Sequence, residues 1–212
     1  MADHVVERRK VIVVFVAGKR YAGKDTVSER MWEVLELGAG VEKAYVSVSD
    51  MCKAEYAAVS NLDLARLKGD RAYKEAHRTE LTGFYKEITE RHGVEVYVES
   101  LLAELVPGGP TKGPLVVCVV GIRRRNTVRY LEDQLGRDAL VSIRLTTPDA
   151  VRTARGWVFD GAKDMDVTET DLDGDDLTWS ATFPNDEDGT DAIDAWVDST
   201  VLPLIQAALL HA

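Results

Sequence analysis

Val11-Ile-Val-Val-Phe-Val-Ala17, followed at once by Gly18-Lys-Arg-Tyr-Ala-Gly-Lys-Asp-Thr26, is the stretch on which the fold turns. The first run is apolar, largely β-branched and almost without alternation, as a strand covered on both faces of a parallel sheet reads. Gly18 and Gly23 bracket a loop whose backbone can turn tightly and aim its N–H groups inward. Lys24–Leu37 then places Val27, Met31, Val34 and Leu35 on one helical face, and Gly38 and Gly40 end it. Strand, G-x-x-x-x-G-K loop and helix in this order predict a phosphate-binding loop, with positive potential added by the helix N-terminus. Gly18, Lys19, Arg20, Ala22, Gly23, Lys24, Asp25 and Thr26 are its candidate nucleotide-binding residues, and Lys24 can reach the β- and γ-phosphates. Asp25 stands where Ser or Thr is usual, with Thr26 next, so these two are the candidate Mg²⁺ ligands.

Outward from the loop, Lys43–Val48 predicts a second strand, and residues from about 50 to 91 read as helical. Tyr97–Leu105 is a further helix, and Pro107-Gly108-Gly109-Pro110 a loop. Leu115–Val120 is a second fully buried strand, Thr127–Leu135 a helix, Ala139–Leu145 a strand and Pro148–Arg155 a helix. Asp160 to Asp176 is acidic and reads as a loop free to move. Thr178–Phe183 is a weak strand, and Asp191–His211 a closing helix bent near Pro203. The expected architecture is a single three-layer α/β domain with the P-loop NTPase fold: a mostly parallel sheet flanked by helices. An acceptor-binding helical region would span about 50–105 and a lid about 150–176.

The 212 residues suit one domain with a sizeable core, and 45% hydrophobic with 29% charged residues is ordinary for a globular chain. Twenty-six Lys and Arg against 36 Asp and Glu give a net charge of −10, which argues against nucleic acid as the main partner. Cys52 and Cys118 form no disulfide framework, and a reducing cytoplasm is the expectation. The N-terminus is too charged for a signal peptide, and the apolar runs look too short to cross a bilayer, so no membrane partner is expected. His4, His77, His92 and His211 have no metal spacing. Asp171-x-Asp173-Gly174-x-Asp176 lacks the ligand spacing and closing Glu of a Ca²⁺ loop.

Other cations fall in telling places. Lys19 and Arg20 lie within the loop, where fixed positive charge steadies a phosphoryl group in transfer. Lys74 and Arg78 are four apart and would share a helix face, from which both could bind the acceptor's phosphate. Arg123, Arg124 and Arg125 follow a buried strand, at the sheet edge where α/β ligands bind. Guanidinium gives planar phosphate contacts, and Arg123 and Arg124 are the choices for acceptor phosphate. Arg152 and Arg155 are three apart on the lid helix and could close over ATP as arginine fingers do. Trp157 and Phe159 would anchor that lid.

These segments together resemble the animal-type phosphomevalonate kinase family. The family's G-K-R-x-x-G-K-D loop matches Gly18 to Asp25. Its Y-K-E-A-x-R segment matches Tyr73 to Arg78, its arginine pair Arg123-Arg124, and its R-x-x-R-G-W-V-F segment Arg152 to Phe159. Lys53 is similar to the lysine that opens the family's acceptor region. The resemblance implies ATP and (R)-5-phosphomevalonate giving ADP and the 5-diphosphate, with Mg²⁺. Tyr21 stands where a third loop cation is usual, and Gly121-Ile122 where Asp-Thr is usual. Asp50 is the candidate carboxylate to replace that strand-end Asp, or to act as base on a hydroxyl acceptor. A phosphate acceptor needs no base, being ionised already. A kinase of a nucleotide, with Tyr56, Asn61, Tyr73, Phe84 and Tyr85 to recognise a base, or of another small phosphorylated metabolite, is the alternative on the same scaffold. A non-catalytic nucleotide-binding regulator is a third. Monomer and small homo-oligomer both stay open.

Overall fold

The structure is a computed structural model, and it describes residues 9–106, 113–174, 176–187 and 189–211. Residues 1–8 and the predicted Pro107–Pro110 loop lie outside the described residues.

Five strands form one sheet: β1 (Val11–Ala17), β2 (Glu42–Ser47), β3 (Leu115–Val120), β4 (Leu140–Thr146) and β5 (Ala181–Pro184). Their order is β2-β3-β1-β4-β5, and every neighbouring pair is parallel. β1 and β3 are buried at every position, which explains their lack of alternation. Ile12, Val14 and Val16 face one apolar layer, with Val27 and Met31 of α1 (Lys24–Val34) and Ile193, Val197 and Ile205 of the closing helix. Val13, Phe15 and Ala17 face the other layer, formed with α2 (Val48–Ser60), α6 (Val96–Leu105) and α7 (Arg125–Leu135). Because all strands run one way, β1, β2, β3 and β4 deliver their C-terminal ends to one edge, the usual ligand edge of such sheets.

The stretch from 50 to 91 is helical but broken. Beyond α2 come α3 (Leu64–Gly69), α4 (Arg71–Ala76) and α5 (Arg78–His92). Asp63 caps α3 and Asp70 caps α4, each accepting a backbone N–H of its helix. The break at His77 overturns the expectation that Lys74 and Arg78 share one helix face, since they belong to different helices. Residues 149–170 hold α8 (Asp149–Ala154), α9 (Gly161–Asp164) and α10 (Val167–Thr170). The acidic run is therefore largely folded rather than a bare loop.

The closing helix spans Asp191–His211 as α11 (Asp191–Trp196), a wider π turn (Val197–Val201) and α12 (Leu202–His211). The π turn sits where Pro203, which has no N–H, interrupts the regular ladder. This segment is long and apolar enough to cross a bilayer, which corrects the expectation that none is. Ile193, Val197, Val201 and Ile205 are all at most 2% exposed and pack on the sheet, as in a core helix.

Candidate active site

The loop after β1 is braced from the neighbouring strand ends. The Ala22 carbonyl accepts Asn185 Nδ2 at 2.7 Å and Thr147 Oγ1 at 3.2 Å. Gly23 has φ +86°, which an L side chain rarely adopts, and a Cβ there would collide with Asn185. Tyr21 takes the left-handed region too, at φ 59°, a strained conformation for a tyrosine. Lys24 Nζ donates to the Gly18 carbonyl at 2.7 Å and the Lys19 carbonyl at 2.8 Å. Burial, then the nearby Arg123, lowers the Lys24 pKa to about 8.

A cleft of about 360 Å³ opens beside this loop. Gly18, Lys24 and Asp25 line one side, Gly121 and Arg123 the end of β3, and Asp50, Lys53, Lys68 and Lys74 the helical wall. Arg144, from the end of β4, lines it as well. Thr26 does not line it, so of the two predicted metal ligands only Asp25 faces the cleft. Among the described residues no three His, Cys, Asp or Glu side chains cluster as a metal site. A single carboxylate still fits Mg²⁺, which takes most of its ligands from phosphates and water. Ser28, one turn beyond Lys24 and also in the lining, is fully buried with an unpartnered Oγ.

Gly121 turns at φ +90°, so the aspartate usual at this point could not simply take its place. Asp50 lies in the first turn of α2, its N–H donating to the cap residue Ser47 at 3.2 Å. Asp50 Oδ1 accepts Lys53 Nζ at 2.6 Å, and Oδ2 lies 3.0 Å from Lys68 Nζ. Partial burial pushes the Asp50 carboxyl up, but the hydrogen bonds from Lys53 and Lys68 outweigh it and hold it below the ordinary value. It is an ion-paired carboxylate, not a poised base.

The acidic run pairs with the cations of the site. Glu169, 8% exposed, accepts the Arg20 backbone N–H at 2.9 Å and pairs with the Arg123 guanidinium. Asp173 pairs with Lys19 and Arg144. Asp164 lies 3.1 Å from Arg20, and Asp171 3.0 Å from Arg124. Arg125 bonds Asp176 at 2.8 Å and the Asp171 carbonyl at 3.0 Å. These carboxylates are engaged with arginine and lysine.

The predicted residues thus separate into two groups. Lys24, Asp25, Asp50, Lys53, Lys74 and Arg123 meet in one cleft. Arg124 turns to Asp171, and Arg78 is exposed and paired with Glu75. Arg152 is buried behind the loop: its Nε donates to the Arg20 carbonyl at 2.9 Å, and its guanidinium lies 3.9 Å from the centre of the Trp157 ring. In this arrangement it braces the loop rather than reaching into the cleft. Arg155 donates to the Asn185 carbonyl at 3.2 Å and comes against Gly23, and it is not among the residues that line the cleft. Trp157 Nε1 donates to Asp164 at 3.0 Å, and its ring meets that of Phe159 edge-on with centres 6.3 Å apart, although Phe159 is 61% exposed. Arg144, Lys68, Glu169 and Asn185 escaped the sequence reading. Arg144 had a signal, as a charge near the C-terminal end of an otherwise buried strand.

A parallel sheet that ends in a glycine–lysine loop, facing a cleft crowded with lysine and arginine, defines a P-loop phosphotransferase. Comparison with known proteins is more specific. The sequence profile of the family described as Phosphomevalonate kinase matches residues 16–137. A Phosphomevalonate kinase of Drosophila melanogaster is 31% identical over 191 residues, covering 88% of this chain and 95% of that protein. The chain belongs to the phosphomevalonate kinase family, and it is a kinase. Among solved structures, a gluconokinase from Sinorhizobium meliloti aligns over 96% of this chain and 94% of its own, with TM-score 0.41 and 14% identity. A shikimate kinase from Bacteroides thetaiotaomicron aligns over 92% and 98%, with TM-score 0.42 and 13% identity.

Proposed function

We propose that this kinase transfers the γ-phosphoryl group of ATP to the phosphate of 5-phosphomevalonate, giving ADP and 5-diphosphomevalonate, in the cytoplasm. The observation that carries this reading is the single cleft in which Lys24 meets Arg123 and Arg144, opposite a wall of lysines. One side suits the nucleotide's phosphates and the other an anionic acceptor. An oxygen of the acceptor phosphate attacks the γ-phosphorus, the bond to the ADP oxygen breaks, and no proton has to leave the nucleophile. That agrees with a cleft in which Asp50, the carboxylate expected as a base, is held by two lysines. Lys24, Arg123 and Arg144 would neutralise the charge spread over the transferring group. Asp25 would hold Mg²⁺, which when bound screens the phosphate oxygens. Arriving phosphates compete with Glu169 for Arg123, so substrate binding loosens the acidic arm.

The nucleotide-acceptor alternative finds little support. Tyr56 packs on Phe84 with ring centres 5.6 Å apart, Tyr85 on Tyr97 at 6.4 Å, and Tyr73 on His77 at 4.7 Å. None of Tyr56, Tyr73, Phe84 or Tyr85 lines the cleft. A coupled ADP-release assay over phosphomevalonate, the common nucleoside monophosphates and small phosphorylated acids tests the proposal. ADP should appear with phosphomevalonate. Faster release with a nucleoside monophosphate would replace this reading, and no release with any acceptor would favour a nucleotide-binding regulator.

A further inference from the structure

The helical wall of the cleft holds an arrangement that phosphoryl transfer itself does not call for. Leu67, fully buried with Tyr56 and Ala57, pins α3 against α2. That packing carries the next residue, Lys68, to the cleft, where it meets Asp50. The Asp50 carboxylate is shared, Oδ1 with Lys53 and Oδ2 with Lys68. Lys53 is buried on α2, while Lys68 is 47% exposed at its side chain. Two ammonium groups and one carboxylate leave a single positive charge. Each ammonium has three donors, and Asp50 takes one from each. The shared carboxylate also offsets the repulsion that would otherwise spread the two lysines apart.

We propose that Lys68, held with Lys53 by Asp50, binds a carboxylate on the acceptor and so selects acceptors that carry one besides their phosphate. This inference rests on the phosphomevalonate reading above, whose acceptor bears a carboxylate at the end remote from its phosphate. The two ends of the cleft differ in kind. Arg123 and Arg144 stand with Lys24, and guanidinium suits the multiple oxygens of phosphate. The Lys53–Asp50–Lys68 trio offers ammonium point charges suited to a carboxylate, and Lys74 on the same wall adds to the positive potential there. Asp50 acts on the acceptor only through the two lysines, as a positioning residue.

The test compares kcat/KM for phosphomevalonate with kcat/KM for 3-hydroxy-3-methylpentyl phosphate, the same skeleton with methyl in place of carboxylate. Wild type, Lys68→Met and Lys68→Arg are assayed at saturating ATP. Wild type should prefer the carboxylate acceptor. Lys68→Met should cut that preference about tenfold, the worth of a charge-assisted hydrogen bond, chiefly through KM. Lys68→Arg should restore much of it. An unchanged preference in Lys68→Met, or an equal loss with both acceptors, overturns the inference while leaving the reaction intact. If wild type transfers to neither acceptor, the reading of the reaction falls and takes this inference with it.

Discussion

The phosphate loop and the acidic arm beside it, residues 160–176, are held in place by different means. The loop is held mainly through its backbone carbonyls, by the Asn185 amide and Thr147 hydroxyl on Ala22, by Arg152 on Arg20 and by Lys24 on Gly18 and Lys19, and Ala22 itself is 1% exposed. The arm is fixed largely by charge, with Asp164, Glu169, Asp171 and Asp173 on Arg20, Arg123, Arg124, Lys19 and Arg144. Neutral buried contacts keep their strength whatever ion enters the cleft. Ion pairs weaken with salt and can be exchanged for phosphate. The site therefore combines a cradle of constant shape with a cover whose grip depends on what the cations are holding.

The largest effect should come from removing the cradle's own charge. Lys24→Ala should lower kcat at least about a hundredfold, with circular dichroism unchanged. Turnover close to wild type would remove Lys24 from the mechanism. Breaking the neutral brace is the complementary experiment. Gly23→Ala forces a side chain into φ +86° and into Asn185, and should cost about 1–3 kcal/mol in urea unfolding as well as weaken ATP binding. A variant as stable as wild type would mean that the loop is not held as tightly as its contacts imply.

The same contrast explains what the sequence could and could not reveal. Val11–Ala17 and Leu115–Val120 were legible as buried strands because burial on both faces erases alternation, and the glycine–lysine loop was legible by its context. Lys24, Asp25 and Lys53 then fell in the cleft. The arm was misread because its carboxylates pair over long distances, Glu169 with Arg123 and Asp173 with Lys19. Composition announces such charges without saying what they face. Lys68 was hidden for the same reason, one lysine in a run of charged helical residues. His77 also misled, since nothing in Tyr73–Arg78 marks the break that parts Lys74 from Arg78.

Proton uptake gives the next effect in size. Burial and Arg123 lower Lys24 to about pKa 8, yet phosphate needs it charged. The free enzyme should therefore lose kcat/KM for ATP as pH rises through 8, by about tenfold at one unit above. The linkage sign for folding is opposite. Between pH 8 and the ordinary lysine value near 10.5, the unfolded chain holds the proton more tightly, so this group's contribution to stability rises with pH. A profile flat to pH 10 would show that Lys24 keeps its charge in the free enzyme.

The smallest effect distinguishes cradle from cover most sharply. Glu169 is buried and spends its two oxygens on the Arg20 N–H and on Arg123, both on the phosphate side of the molecule. If that carboxylate competes with substrate, Glu169→Gln should bind a non-hydrolysable ATP analogue about threefold more tightly by calorimetry, since a neutral amide gives up Arg123 at lower cost. Added salt should narrow the difference, because it already weakens the pairing in wild type. Weaker binding by Glu169→Gln would reverse the assignment. Glu169 would then be the group that holds Arg123 ready for phosphate, and the arm would belong to the cradle.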